Sequence, residues 1–218
     1  MSSDAHIPNI YIIGPQSTGK TTLVNKLQAD LEHRLADTSN DKPQIISEVA
    51  RTVLAKHKYS AEDIVTSKTR CLELQQLILE AQASSEDEAL KTSSWFISDR
   101  SGFDPLVYAK RYAAPNAVDL LKELPAWKQV KERMERSLIV VCEAGTPWLM
   151  DDGVRLMPGS ETEWMQVFHD FCELLDEVGL EYCAVPRTVL DISERAELVW
   201  AKWTERRQSL TSGQSDGQ

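Results

Sequence analysis

Nine residues constrain this chain more than any others. Gly14, Pro15, Gln16, Ser17, Thr18, Gly19, Lys20, Thr21 and Thr22 stand directly behind the apolar run Ile10–Ile13. The spacing Gly14-x-x-x-x-Gly19-Lys20-Thr21 is the phosphate-loop pattern in full, and it works only between a buried strand and a helix. The glycines allow a tight turn, so that several backbone N–H groups converge on β- and γ-phosphate oxygens. Lys20 adds a compact positive charge and Thr21 offers a hydroxyl to Mg²⁺. The helix that follows turns its positive dipole end toward the same anions. The segment Gly14–Thr22 therefore reads as the cradle of a nucleoside triphosphate, ATP with GTP possible, used together with Mg²⁺.

The bulk properties bound the rest. A chain of 218 residues, 42% hydrophobic and 27% charged, suits one globular domain with a sizeable core. A net charge of −10 argues against binding nucleic acid by phosphate neutralisation. A nucleotide needs only local positive potential. The cysteines Cys71, Cys142, Cys172 and Cys183 form no CxxC pair, and Cys142 and Cys183 sit in apolar runs, as buried reduced thiols do. His6, His33, His57 and His169 share no ligand spacing. Neither a leader pattern nor a run long enough to cross a membrane is visible, so a cytoplasmic setting is expected. Nothing in the residues decides the oligomeric state.

Short apolar runs alternate with longer amphipathic stretches, which predicts an α/β three-layer sandwich: a five-stranded parallel sheet with helices on both faces. The strands are expected at Ile10–Ile13, Gln44–Ser47, Trp95–Ser98, Leu138–Cys142 and Glu181–Val185. Helices are expected over 20–35, 62–82, 104–112, 118–135, 162–178 and 192–207, the last with the core stripe Ile192, Ala196, Val199 and Trp203. Ser84–Ser94 reads as an exposed polar connector. A single domain is expected over 7–207, with a flexible segment 1–6, a flap at about 143–159, and a disordered polar tail 208–218.

What uses the phosphate must be read elsewhere. No NKxD stands after a later strand, as a regulatory GTPase would need, and the chain is short for a mechanical ATPase with a lid domain. The layout of a small-molecule kinase fits better. "ISEVAR" puts Glu48 at the C-terminal end of the second strand, the edge that opens onto the ligand crevice in parallel sheets, with Arg51 one turn on. Glu48 could take an acceptor hydroxyl's proton or hold that hydroxyl in line. "SDRSG" puts Asp99 and Arg100 at the same edge: Asp99 to orient water on Mg²⁺ beside Thr21, and Arg100 to bind a phosphate or carboxylate. An ion pair or a helix cap is the alternative use of each. In the flap, Arg155 could close over the reacting phosphates. Trp148 could stack on a ligand ring or anchor the loop, and Asp151 and Asp152 could fix its turn or bind substrate ribose.

With these stretches in hand, the chain resembles the NadR-type kinase domain family of P-loop proteins. The likeness rests on "YIIGPQSTGKTTL", "ISEVAR", "SDRSGFDPLVYA", "TPWLMDDGVR" and "LDISERAELV", which occur in the family's order from Ile10 to about Val199. It implies a nucleoside-kinase-like fold, with Asp99 at the Mg²⁺ edge, Arg155 in the lid and Arg195 near the base or phosphates. It also implies phosphorylation of a nucleoside such as ribosylnicotinamide. "DRSGFDP" is similar to a stretch of deoxynucleoside kinases, which keeps other nucleosides open. The competing expectation is a nucleotide-dependent switch acting through a protein or lipid partner.

Overall fold

The computed structural model describes residues 6–34, 42–148 and 159–212. Its centre is one sheet of five parallel strands: β1 (Ile10–Ile13), β2 (Gln44–Ile46), β3 (Phe96–Asp99), β4 (Leu138–Cys142) and β5 (Cys183–Val185). They lie side by side in the order β2-β3-β1-β4-β5, and every neighbouring pair is parallel. β1 is thus flanked on both sides, and its four residues are wholly buried. β2 and β5 are the edges.

Alternation along β1 divides the core into two layers. Ile10 and Ile12 face helices α1 (Lys20–Arg34) and α9 (Ile192–Ser212), packing with Leu23, Leu27, Ala196, Val199 and Trp203. Trp203 stacks on Trp95 with ring centres 4.8 Å apart, and its indole N–H donates to the Pro8 carbonyl at 2.7 Å. Tyr11 and Ile13 face the opposite layer. This layer contains α4 (Lys68–Thr92), α5 (Asp104–Tyr112), α6 (Ala117–Lys122), α7 (Pro125–Glu135) and α8 (Glu161–Val178). The expected three-layer architecture is what forms. A smaller cluster of Val53, Ile64, Cys71, Leu74 and Ile78 joins α2 (Val49–His57) and α3 (Ala61–Thr66) to α4.

Several boundaries differ from expectation for local reasons. The helix expected over 62–82 is two helices broken at Ser67. Ser60 and Asp63 form a capping box on α3, and Ser67 accepts from the Arg70 amide to start α4. α4 then runs on to Thr92 through the supposed connector at Ser84–Ser94. Glu86 and Ala89 on that stretch are buried. The helix expected over 118–135 breaks before Pro125, which starts α7. α2 was not anticipated at all, and α9 continues past the expected domain end at 207 to Ser212.

The four cysteines are free thiols. Cys71 and Cys142 are buried, whereas Cys183 is only partly so, because its strand is a sheet edge. His6, His57 and His169 are exposed, and the His33 side chain lies outside the described residues. Among the described residues, no helix is long and apolar enough to cross a membrane.

Candidate active site

β1 ends at Ile13 and the chain turns sharply at Gly14, whose φ is +125°. A Cβ here would lie 2.7 Å from the Cys142 carbonyl oxygen of β4, so only glycine lets the loop leave the sheet this close to its neighbour. Ser17 and Gly19 also adopt positive φ, +56° and +80°. The loop closes on itself as Thr18 donates to the Pro15 carbonyl at 3.0 Å, and α1 starts at Lys20. Three helices brace it from outside. Trp164 of α8 donates to the Gln16 carbonyl at 2.9 Å, Arg195 of α9 to the Thr18 carbonyl at 3.0 Å, and Tyr108 of α5 to the Gln16 side-chain oxygen at 3.2 Å.

A cleft lies over this loop, lined by residues from Ser17 to Thr22 and by Glu48, Asp99 and Arg100. Lys20 Nζ donates to the Pro15 carbonyl and, at 3.4 Å, to Thr18 Oγ1. Burial, reinforced by the nearby Arg100 charge, pulls its ammonium down to about 7. Thr21 Oγ1 donates to Asp99 Oδ2 at 2.5 Å, while Asp99 Oδ1 is buried with no partner among the described residues. A hydroxyl and a half-satisfied carboxylate facing a loop of converging amides suit hydrated Mg²⁺ on a triphosphate. Among the described residues, no group of three or more His, Cys, Asp or Glu forms a metal cage. A Mg²⁺ ion would therefore depend on Thr21, Asp99, phosphate and water. The residues present fit such an ion.

Glu48 and Arg100 are brought together as expected for one strand edge, but they bind each other. Arg100 Nε donates to Glu48 Oε1 at 2.7 Å, and Nη1 to Asp104 Oδ1 at 3.1 Å. Arg100 itself has φ +79°, a strained backbone for a residue with a Cβ. Of the two uses expected of Arg100, the ion pair is what forms here: two of its nitrogens are held by carboxylates. Arg51 Nε donates to the other Glu48 oxygen at 2.7 Å. Burial pushes the Glu48 carboxyl up. The Arg100 charge and the bonds from Arg51 and Arg100 outweigh that and hold it well below the usual carboxylate range.

A second, largely apolar cavity opens beside the cleft and shares Glu48 and Arg100 with it. Its walls come from α2, α3, α4 and α5, including Leu54, Ile64, Leu74, Ile78 and Tyr108, with Arg51 at the lining. Tyr108, Gln75 and Trp164 are not marked by any motif. Asp104 is signalled only by "DRSGFDP", because an acidic residue just past a strand end can reach back to it. Here Asp104 caps the turn by accepting from the Ser101 amide and hydroxyl.

Trp148 lies against the phosphate loop. Its ring centre lies 5.6 Å from the Arg195 guanidinium carbon. Its indole nitrogen, buried and unpartnered among the described residues, sits against Gly19. Arg195 is itself buried and supports the loop through its bond to the Thr18 carbonyl. Asp151, Asp152 and Arg155 of the expected flap lie outside the described residues, as do 1–5 and 213–218 of the expected flexible ends.

Comparison with known proteins agrees with this geometry. A family model described as "AAA domain" (AAA_28) matches residues 9–195. No curated protein sequence matches the chain significantly. Among solved structures, NadR in complex with NAD and AMP-PNP is similar with a TM-score of 0.67 and 18% identity. That match covers 92% of this chain and 50% of NadR. NadR in complex with NR matches with a TM-score of 0.56 and 20% identity, over 82% of this chain and 43% of that one. Deoxyadenosine kinase from M. mycoides matches with a TM-score of 0.57 and 16% identity, over 90% and 98% of the two chains. This chain spans about half the length of the NadR chains it matches. It belongs to the AAA_28 family of AAA domains and has the P-loop kinase fold seen in NadR.

Proposed function

We propose that the protein is an ATP- and Mg²⁺-dependent kinase that transfers the γ-phosphoryl group to a hydroxyl of a small acceptor, a nucleoside such as ribosylnicotinamide. The observation that carries this reading is the pairing of two cavities. One has the phosphate loop and the other is apolar, and they meet at Glu48 and Arg100. A hydrolase needs no second, apolar chamber at the phosphate end. The solved NadR and deoxyadenosine kinase structures contain NR or nucleotide products, which supports a nucleoside in that chamber.

In this reading the amides of Gly14–Thr22 and the Lys20 ammonium hold the triphosphate, and Thr21 and Asp99 hold Mg²⁺. The ion, when bound, neutralises charge on the phosphate oxygens. Glu48 is so firmly ionised by Arg100 and Arg51 that it is a poor proton acceptor. Its role is to receive a hydrogen bond from the acceptor hydroxyl and aim that oxygen at the γ-phosphorus. A loose phosphoryl-transfer transition state asks for such positioning more than for a strong base. Arg100 positions Glu48, and Arg155 of the flap adds charge over the phosphates. GTP is the parallel donor to test.

Coupled ADP release in the presence of ribosides, with GTP as a second donor, tests the proposal. One acceptor should raise turnover at least about tenfold above the acceptor-free rate. A slow rate that no acceptor changes would overturn it.

A further inference from the structure

One side chain of the phosphate loop belongs to the other cavity. Residues from Ser17 to Thr22 line the cleft, whereas Gln16 lines the acceptor cavity beside Glu48 and Arg100. Gln16 is buried and pinned at two points. Its backbone carbonyl accepts from Trp164 of α8 at 2.9 Å, and its side-chain Oε1 accepts from Tyr108 Oη of α5 at 3.2 Å. The Tyr108 ring stacks in turn on Tyr112, with ring centres 6.3 Å apart. The direction of the bond to Gln16 follows from what surrounds the phenol. Its charged neighbour is Arg100, which has donors only. The phenol proton therefore turns away from Arg100 and toward Gln16, and an amide receives a proton through its oxygen. The Gln16 Nε2 is left on the other side, with two N–H groups and no protein partner among the described residues.

Bracing the loop does not use that nitrogen, because the Gln16 carbonyl and the Arg195 bond to Thr18 already do so. A γ-phosphoryl group held by Lys20 and the loop amides must move out of the cleft toward the acceptor oxygen. Donors on the cleft side loosen during that movement, and a donor on the acceptor side tightens. Only the second kind favours the transition state over the bound substrate, and so raises kcat. Arg100 stands at this boundary, but its Nε and Nη1 are held by Glu48 and Asp104. Resting on the kinase reading above, we propose that Gln16 is a further catalytic residue whose Nε2 donates to an oxygen of the moving phosphoryl group. Tyr108 is the positioning residue that aims it. In the step itself, the acceptor oxygen forms the new bond to phosphorus. The bond to the bridging oxygen breaks, and its electron pair leaves with ADP. The acceptor's proton passes to an oxygen of the transferred group, so the phosphate monoester carries it away. Gln16 stays neutral throughout and exchanges no proton.

The test uses the full chain and coupled ADP release with the riboside that accelerates the parent protein most. Gln16→Met keeps the side chain's length and removes its amide. Its kcat should fall by about tenfold to a hundredfold. The acceptor KM, and the AMP-PNP dissociation constant measured by calorimetry, should stay within about twofold of the parent. A kcat within about twofold of the parent overturns the proposal, and so does a loss confined to the acceptor KM. Tyr108→Phe keeps the ring and its stacking, lies outside the loop, and should lower kcat at least about threefold. In the Gln16→Met background the same change should do nothing further, because the hydroxyl acts through Gln16. Two losses that multiply would show that Tyr108 acts independently, and would overturn its role. Should Gln16→Met lose AMP-PNP binding, Tyr108→Phe decides alone. A lower kcat at unchanged AMP-PNP affinity supports the proposal, and a parental kcat overturns it. If no riboside accelerates ADP release by the parent protein, the kinase reading itself falls and this one with it. That outcome appears without any variant.

Discussion

At Asp99 the two oxygens of one carboxylate have different fates: Oδ2 accepts the Thr21 hydroxyl and Oδ1 is buried without a partner among the described residues. An amide at this position keeps one acceptor but removes the charge that a Mg²⁺ shell needs. Asp99→Asn should therefore fold normally and lower acceptor-dependent turnover by on the order of a hundredfold. Turnover at the parental rate, in a protein with unchanged circular dichroism, would remove Asp99 from the site. Lys20, Thr21 and Asp99 could be found in the sequence because each lies within a few residues of a recognisable strand end. Tyr108 and Trp164 could not, since their partners, the Gln16 side-chain oxygen and the Gln16 carbonyl, are brought near only by the fold. Arg100 was found with two uses open, because the spacing of residues does not reveal that Glu48 and Asp104 would both pair with it.

Among the elements, α4 departs most from what its residues imply. Its second half looks like a solvated connector, yet Gln82 and Glu86 within it are buried. Glu86 is fully buried and accepts from Tyr11 Oη at 3.0 Å, from Gln82, and from Arg133 Nη1 at 3.2 Å. Burial pushes its carboxyl up to about 7 against the opposing pull of Gln82, Arg133 and Tyr11. An unfolded glutamate titrates near 4.3. Between those values the folded chain holds a proton that the unfolded chain has lost, so this group's contribution is full below about 4.3 and fades as pH rises through 7. Glu86→Gln removes that slope. The stability of the parent minus that of the variant should fall by about 3 kcal/mol between pH 4.5 and pH 8, measured by urea unfolding at each pH. A difference independent of pH would show that Glu86 keeps an ordinary titration in the fold. Hydrophobic periodicity misses such a helix, because its inward face is partly built from charge and amide.

For the whole molecule, the alternation of buried runs with amphipathic stretches was enough to indicate a parallel sheet covered on both sides. The strand order β2-β3-β1-β4-β5 was not readable, because apolar runs of similar length do not announce their neighbours. The two layers meet at β1, and α9 closes one of them through Trp203, which stacks on Trp95 and bonds to Pro8. Trp203→Ala should cost about 3–5 kcal/mol. Because α9 covers the central strands, tryptophan fluorescence and far-ultraviolet circular dichroism should lose signal together in that variant. A loss of less than 1 kcal/mol would mean that α9 is dispensable packing. The same arrangement bears on how the chain is made. The strand that occupies the middle of the sheet leaves the ribosome first among the described elements, and the helix that roofs its Ile10 and Ile12 face leaves last. During synthesis, α1 can cover part of that face early, but the phosphate loop acquires its Arg195 support only once α9 has been translated.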